Sequence, residues 1–137
     1  MNLAIAQFQI LNDDDLSMAK FISDGSKVIA AGNKEKIIEE FVGRVNTQSG
    51  DVSIAWMHSP EGWSEPFQTP EFEEFTVVIK GMVQVSTMSE IYEIRAGQCI
   101  IIDKNETVQY STPDEKGAEY ISICIPAFST ELVHRQE

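Results

Sequence analysis

From Asp51 to Phe128 the chain is cut into short runs of strand-forming residues, each closed by a turn, and few folds accommodate that rhythm. "DVSIAWM", "FTVVIKGMVQVS", "EIYEIRAG", "CIIID", "TVQYST" and "AEYISICIPAF" are rich in β-branched and aromatic residues. Between them stand "SPEG", "MSE", "AGQ", "DKNE" and "TPDEKG", which are turn chemistry. Strands at this spacing with little helix predict an all-β sandwich or barrel. "FTVVIKGMVQVS" is apolar on both alternating sets at its start, then sets Val83 and Val85 against Gln84 and Ser86. It is expected to be buried on both sides near Val77 and half exposed further along. The first 45 residues are less legible. Residues 3–11, "LAIAQFQIL", suit a strand or a short helix, and the "DDD" after them a turn or helix start. "SKVIAAG" suits a strand ended by Gly32. "NKEKIIEEFVGRVNT" suits a short helix at its start, although Phe41, Val42 and Val45 suit a strand as well. With 137 residues and no repeat or low-complexity linker, one domain is expected.

Ten Lys and Arg stand against 22 Asp and Glu, a net charge of −12. Such a surface repels polyphosphate, so nucleic acid and anionic membrane are not expected as partners. No apolar run reaches the roughly 18 residues of a membrane helix, and "MNLAIAQFQILNDDD" lacks the basic start of a signal peptide. Cys99 in "QCIII" and Cys124 in "ISICI" are flanked by isoleucines. Both are expected to be buried, reduced and unpaired, as in a cytoplasmic protein.

Around Glu74 the spacing becomes specific. Glu74 and Gly81 bracket six residues of strand character, and Gly97 follows a charged turn and opens "GQCIIIDKNETVQY". These two segments, in order, resemble the two motifs of the cupin superfamily, small jelly-roll β-barrels. The resemblance covers roughly residues 50–126, and it implies a single cupin-like jelly-roll barrel over 1–137. Residues 1–45 would form an N-terminal extension of strands or short helix, 50–126 the barrel core and 127–137 a tail. "GWSEP", "PEF" and the ending "CIPAFSTELVHR" are similar to those of a subgroup of bacterial cupins. The family's metal-binding histidines are replaced. Their first two positions fall on Phe67 and Thr69 or on Gln68 and Pro70, and the third falls on Val108. Only Glu74 remains of the four ligands. Zinc, iron and nickel favour imidazole or thiolate, so no metal and no other cofactor is expected. His58 and His134 lie outside the motif positions.

On this barrel, Thr76 and Val78 share Glu74's inward face, and Val108 shares a face with Tyr110. Glu74 is the candidate catalytic residue. Gln68, Glu74, Tyr110, Trp63, Glu65 and Arg44 are the candidate ligand-binding residues, a few polar groups on apolar walls. The expected function is binding of a small organic ligand without a transition metal. A metal-independent isomerase, epimerase or lyase is the alternative, with Glu74 as acid or base and Tyr110 or His58 as its partner. A dimeric scaffold without ligand is the second alternative; in a filled barrel, Glu74 would simply pair with Arg44 or another donor. A homodimer is expected in any case, with Leu3, Ile5, Phe8 and Ile10 as added apolar material.

Overall fold

The longest strand-forming run becomes one 15-residue strand, and the other elements are arranged along it. A computed structural model describes residues 18–137. The strands are β1 (Ser26–Lys27), β2 (Ile37–Val42), β3 (Ser53–Ser59), β4 (Trp63–Ser64), β5 (Glu73–Thr87), β6 (Ile91–Arg95), β7 (Cys99–Ile102), β8 (Val108–Thr112) and β9 (Ala118–Ile125). A single helical turn, α1 (Thr130–Val133), follows. The segment at 3–11, the "DDD" and the apolar residues Leu3, Ile5, Phe8 and Ile10 lie outside the described residues. No helix among the described residues is long and apolar enough to cross a membrane.

Every strand pairing among the described residues is antiparallel. The first half of β5 lies between β7 and β9, and β9 leads on to β3, β2 and β1. The second half pairs with β6 and β8, and β8 with β4. One strand thus serves two layers, and the sheet curls into an all-β jelly-roll barrel. The joint is Gly81, with φ 77°, next to a register shift between Val78 and Lys80. A Cβ on Gly81 would collide with the Gly117 carbonyl, and one on Gly117 (φ 64°) with the Ser59 carbonyl. Only glycine combines that backbone geometry with that closeness.

The structure departs from expectation in three places. Residues 37–42 form β2 rather than helix, because Ile38 and Glu40 turn inward opposite Met57 and Ala55 while Ile37 and Glu39 face out. Burial with period two outweighs the helix propensity of Lys and Glu. The Glu40 carboxylate accepts from the amides of Val45 (3.0 Å) and Asn46 (2.9 Å), which turns the chain after β2. Second, Val77 is 38% exposed rather than enclosed on both sides, since Thr76 and Val78 take the inward positions. Third, Cys99 is exposed: it starts β7 pointing outward, and Ile100 and Ile102 turn inward instead. Cys124 is buried, and both thiols are free.

Among the described residues, the interior holds two apolar clusters. The larger contains Trp63, Val78, Val83, Val85, Val108 and Tyr110; the smaller contains Phe72, Cys124 and Val133. The outer face of the β7–β5–β9–β3 sheet is also apolar. Ile101, Phe75, Ile123 and Ile54 form one row across it, and Cys99, Val77, Ile121 and Trp56 the next. Antiparallel sheets with one solvated face usually alternate apolar with polar residues; this one does not.

Candidate functional site

The cavity lies between the two apolar clusters, and each of its charged side chains is placed by a different element. Glu74 and Thr76 point into it from β5, Ser122 and Cys124 from β9, and Tyr110 from β8. Trp63 and Glu65 come from β4 and the segment just after it. Gln68 is held by a reciprocal backbone pair with Val108, at 2.9 and 2.8 Å. Gln68 and Pro70 are buried, whereas Phe67 and Thr69 are half-buried. The cavity volume is about 70 Å³.

Two cations reach the same cavity from segments where sequence spacing gives no warning. Lys36 precedes β2 and turns inward with Ile38 and Glu40. Its Nζ donates to the Tyr120 hydroxyl (3.0 Å) and to Met57 Sδ (3.4 Å), and lies 4.0 Å from the Trp63 ring centroid. The Lys36–Ile38–Glu40 alternation is the signal that could have found it. Arg135 arrives because the C-terminal segment folds back on residues 67–71. α1 is capped by the Ser129 hydroxyl, and the Thr69, Glu71 and Gln136 amides donate to the carbonyls of His134, Leu132 and Phe67. Gln68 bridges Arg135 in that ladder. No local pattern announces a pairing between residues so far apart.

Of the residues singled out from sequence, Glu65, Gln68, Glu74, Trp63 and Tyr110 line this cavity. Arg44 does not. It is exposed, and its guanidinium donates to the carbonyls of Ala127 (3.3 Å) and Gly50 (3.4 Å), so it is no partner for Glu74. His58 is exposed on the outer face of β3, edge-on to Trp56, and cannot serve the cavity. His134 pairs at the surface with Glu71, at 2.6 Å.

The polar groups in the cavity are incompletely satisfied. Glu74 Oε2 accepts from the Ser122 hydroxyl, and Oε1 has no partner. Gln68 Oε1, the Tyr110 hydroxyl and Arg135 Nε are likewise buried without partners. The Tyr110 hydroxyl faces the Glu74 carboxylate without closing an aligned bond to it. Burial pushes the Tyr110 phenol up, and the Glu74 and Glu65 charges push it further. Burial also lifts the Glu65 carboxyl to about 7; Lys36 and Arg135 oppose that and Glu74 adds to it. The Cys124 thiol is raised by burial and by Glu74. It is a poor nucleophile in that state.

The donor set does not fit a transition metal. Among the described residues, no three His, Cys, Asp or Glu side chains converge in a way that could hold an ion. Val108 contributes no ligand atom, Gln68 offers only an amide oxygen, and Lys36 and Arg135 already place positive charge beside Glu74 and Glu65. A metal cation would be repelled there.

No protein-family model matches the chain. A Myxococcus xanthus protein called an endoribonuclease is 38% identical over 101 residues, 74% of this chain and 34% of that protein. The chain thus spans about a third of that relative. Among solved structures, a predicted oxalate decarboxylase from Thermotoga maritima matches with a TM-score of 0.65 at 16% identity, over 80% of this chain and 99% of the other. Bacillus subtilis oxalate decarboxylase matches with a TM-score of 0.68 at 17% identity, over 83% of this chain and 30% of the other. An ethanolamine utilization protein from Salmonella typhimurium gives 0.59 at 15% identity, over 76% and 97%. The chain thus shares the jelly-roll barrel fold of these proteins.

Proposed function

We propose that the chain binds a small polar organic ligand in the barrel cavity without the help of a transition metal. One observation carries this reading: Gln68 Oε1, Glu74 Oε1, the Tyr110 hydroxyl and Arg135 Nε are buried, lack partners and line one cavity. An unpaired buried polar group costs on the order of 1–3 kcal/mol; the Tyr110 hydroxyl and Glu74 face each other, and Gln68 Oε1 and Arg135 Nε in the same cavity favour a ligand that pairs with them. Apolar walls from Phe72, Met57 and Phe128 complete the character of a small-molecule pocket. Calorimetric titration of the protein and of Gln68→Leu with a panel of small polar acids, alcohols and amides tests it. Binding by the parent chain and loss in the variant support the reading, and no binding across the panel refutes it.

Proton-transfer catalysis is the second reading, favoured by Glu65. A carboxyl that titrates near neutrality, facing Tyr110 and Glu74, is suited to general acid or base work. An isomerase, epimerase or lyase would use Glu74 with Glu65, rather than His58, as its partner. Incorporation of solvent deuterium into a bound ligand would establish it. RNA cleavage draws no support from these residues, because a net charge of −12 repels a phosphodiester chain. The free thiols suit a reducing compartment such as the cytoplasm.

The outer apolar sheet face is proposed to hold a second copy of the chain. Four strands about 4.8 Å apart, with same-face residues about 6.6 Å apart along each, give these two rows a footprint of roughly 250 Å², before side-chain relief is counted. Each partner in a standard interface buries about 800 Å² of accessible surface. The two central rows of this face carry no charge at all, on a chain of net charge −12. Two copies can meet there without bringing acidic surfaces together.

A further inference from the structure

Gln68 and Arg135 meet across the ladder that joins the C-terminal segment to residues 67–71. The Gln136 amide donates to the Phe67 carbonyl (2.8 Å) and the Thr69 amide to the His134 carbonyl (3.2 Å), so the ladder bonds flank the two residues instead of joining them. In an antiparallel pair of that kind the Cα atoms lie about 4.5 Å apart, and the side chains leave on the same side. Here both side chains line the cavity. The main chain of Gln68 is satisfied along its other edge, by Val108, so only its side chain is left for the cavity. Yet Gln68 Oε1 and Arg135 Nε, buried on neighbouring side chains, bond neither to each other nor to another described residue. The first is an acceptor and the second a donor. A ligand that closes both bonds at once carries a donor beside an acceptor on a single edge.

The charges on the wall leave that ligand neutral. Glu40, Glu65 and Glu74 stand there against Lys36 and Arg135, so no surplus of positive charge calls for an anion. Lys36 is already engaged by Tyr120, Met57 and the Trp63 ring, and Glu40 by the Val45 and Asn46 amides. A cationic ligand would set its charge against the Arg135 guanidinium. A neutral N–H beside a C=O is the edge of a primary carboxamide or a lactam. An ordinary secondary amide lacks that edge, because its trans bond points N–H and C=O in opposite directions. A carboxylic acid offers it only when protonated, which it is not at pH 7. A cavity of about 70 Å³ leaves room for little beyond the amide itself. We infer that the cavity takes a compact uncharged amide by its cis edge, an assignment that rests on the cavity being a ligand site. The amide N–H donates to Gln68 Oε1, its carbonyl accepts from Arg135 Nε, and its carbon skeleton lies against Phe72 and Phe128.

NMR titration of isotope-labelled protein at pH 7 tests this, because the Gln68 side-chain amide and the Arg135 Nε–H each give a signal of their own. The probes are isobutyramide, 2-pyrrolidinone, N-methylacetamide with its trans bond, isobutyrate and isobutanol. Isobutyramide and 2-pyrrolidinone should shift both signals to saturation, each binding at least about ten-fold more tightly than the other probes. The tighter of the two tells an open-chain carboxamide from a ring amide, and either order upholds the cis edge. Gln68→Leu and Arg135→Met leave the main-chain ladder in place and should each weaken binding by at least about ten-fold, followed on the signal that remains. Arg135→Lys keeps the charge without the Nε donor, so it should bind no better than Arg135→Met, and it serves if the methionine variant folds poorly. Full affinity in Arg135→Lys, or N-methylacetamide, isobutyrate or isobutanol bound as tightly as the cis amides, overturns the assignment while leaving the ligand site intact. If no probe shifts a signal from the cavity, the ligand-site reading itself falls.

Discussion

Replacing Glu65 with glutamine should change how the stability of this protein responds to pH. Burial raises the Glu65 carboxyl from 4.5 to about 7, and the nearby charges of Lys36 and Arg135 offset this only in part. Between those values the folded chain keeps a proton that the unfolded chain has released. The folded state therefore binds more protons, and this group's contribution to stability falls as pH rises from about 4.5 through about 7. A gap of about 2.5 pH units, at about 1.4 kcal/mol each, amounts to about 3 kcal/mol. Glutamine has nearly the same shape and no charge to bury, so it escapes the loss. Glu65→Gln should match the parent protein near pH 4.5 and exceed it by about 3 kcal/mol at pH 8. For a domain of this size that is roughly 10 °C in Tm. Urea unfolding at constant ionic strength, repeated across that pH range, measures the difference directly, and equal m-values would show that compactness is unchanged. A difference between the two proteins that stays flat from pH 4.5 to 8 would refute the reasoning, since it would mean that Glu65 does not hold its proton in the fold.

Glu74→Gln keeps an acceptor for the Ser122 hydroxyl, so melting should be unchanged or raised while calorimetric binding of any small polar molecule that the parent chain takes up is lost; a lower Tm with intact binding would show Glu74 to be structural. Dialysis against a chelator should leave the melting temperature where it was, because an ion that stabilises a fold lowers stability when stripped; stoichiometric zinc, iron or manganese in the untreated protein would count against the donor-set argument. Light scattering at tens of micromolar should give two chains per particle, and Val77→Lys with Ile101→Lys should give one, with the circular dichroism unchanged. Gly81→Ala should cost roughly 2–4 kcal/mol in urea unfolding, since it combines a positive φ with a collision at the Gly117 carbonyl.

Local information explains what can be read in advance. β5 is legible because its alternation and the Glu74–Gly81 spacing both lie within one continuous stretch, and Thr76 and Val78 accordingly face inward with Glu74. The same stretch misleads at Val77. Apolar residues on both faces of a strand look alike whether the second face is covered by the chain itself or left outside, and here it is outside. Cys99 fails for the same reason, its isoleucine neighbours being shared between two faces. Glu65 and Gln68 can be placed near Glu74 because they lie close to it in the chain. Lys36 and Arg135 cannot, because each enters through a pairing that closes a long loop, β2 with β3 and the C-terminal segment with residues 67–71. Sequence pattern offers Arg44 for their role, yet the turn after β2 carries it away to the Gly50 and Ala127 carbonyls.

The unbroken course of β5 bears on how the molecule breathes. Thr76, on the cavity wall, belongs to the same strand ladder that continues to Val83 and Val85 in the centre of the larger cluster. Amide protons along such a strand exchange with solvent through openings whose free energy is set by the whole cooperative unit. Protection at Thr76 should therefore approach that at Val85 in a deuterium-exchange experiment, and the wall that carries Glu74 has no private route to loosening. The segments bearing Lys36 and Arg135 are fastened by far fewer backbone bonds, one before β2 and the other beside a single helical turn. Fast exchange there, against slow exchange along β5, would make the two cation-bearing segments the moving door of the cavity and the carboxylate wall its frame.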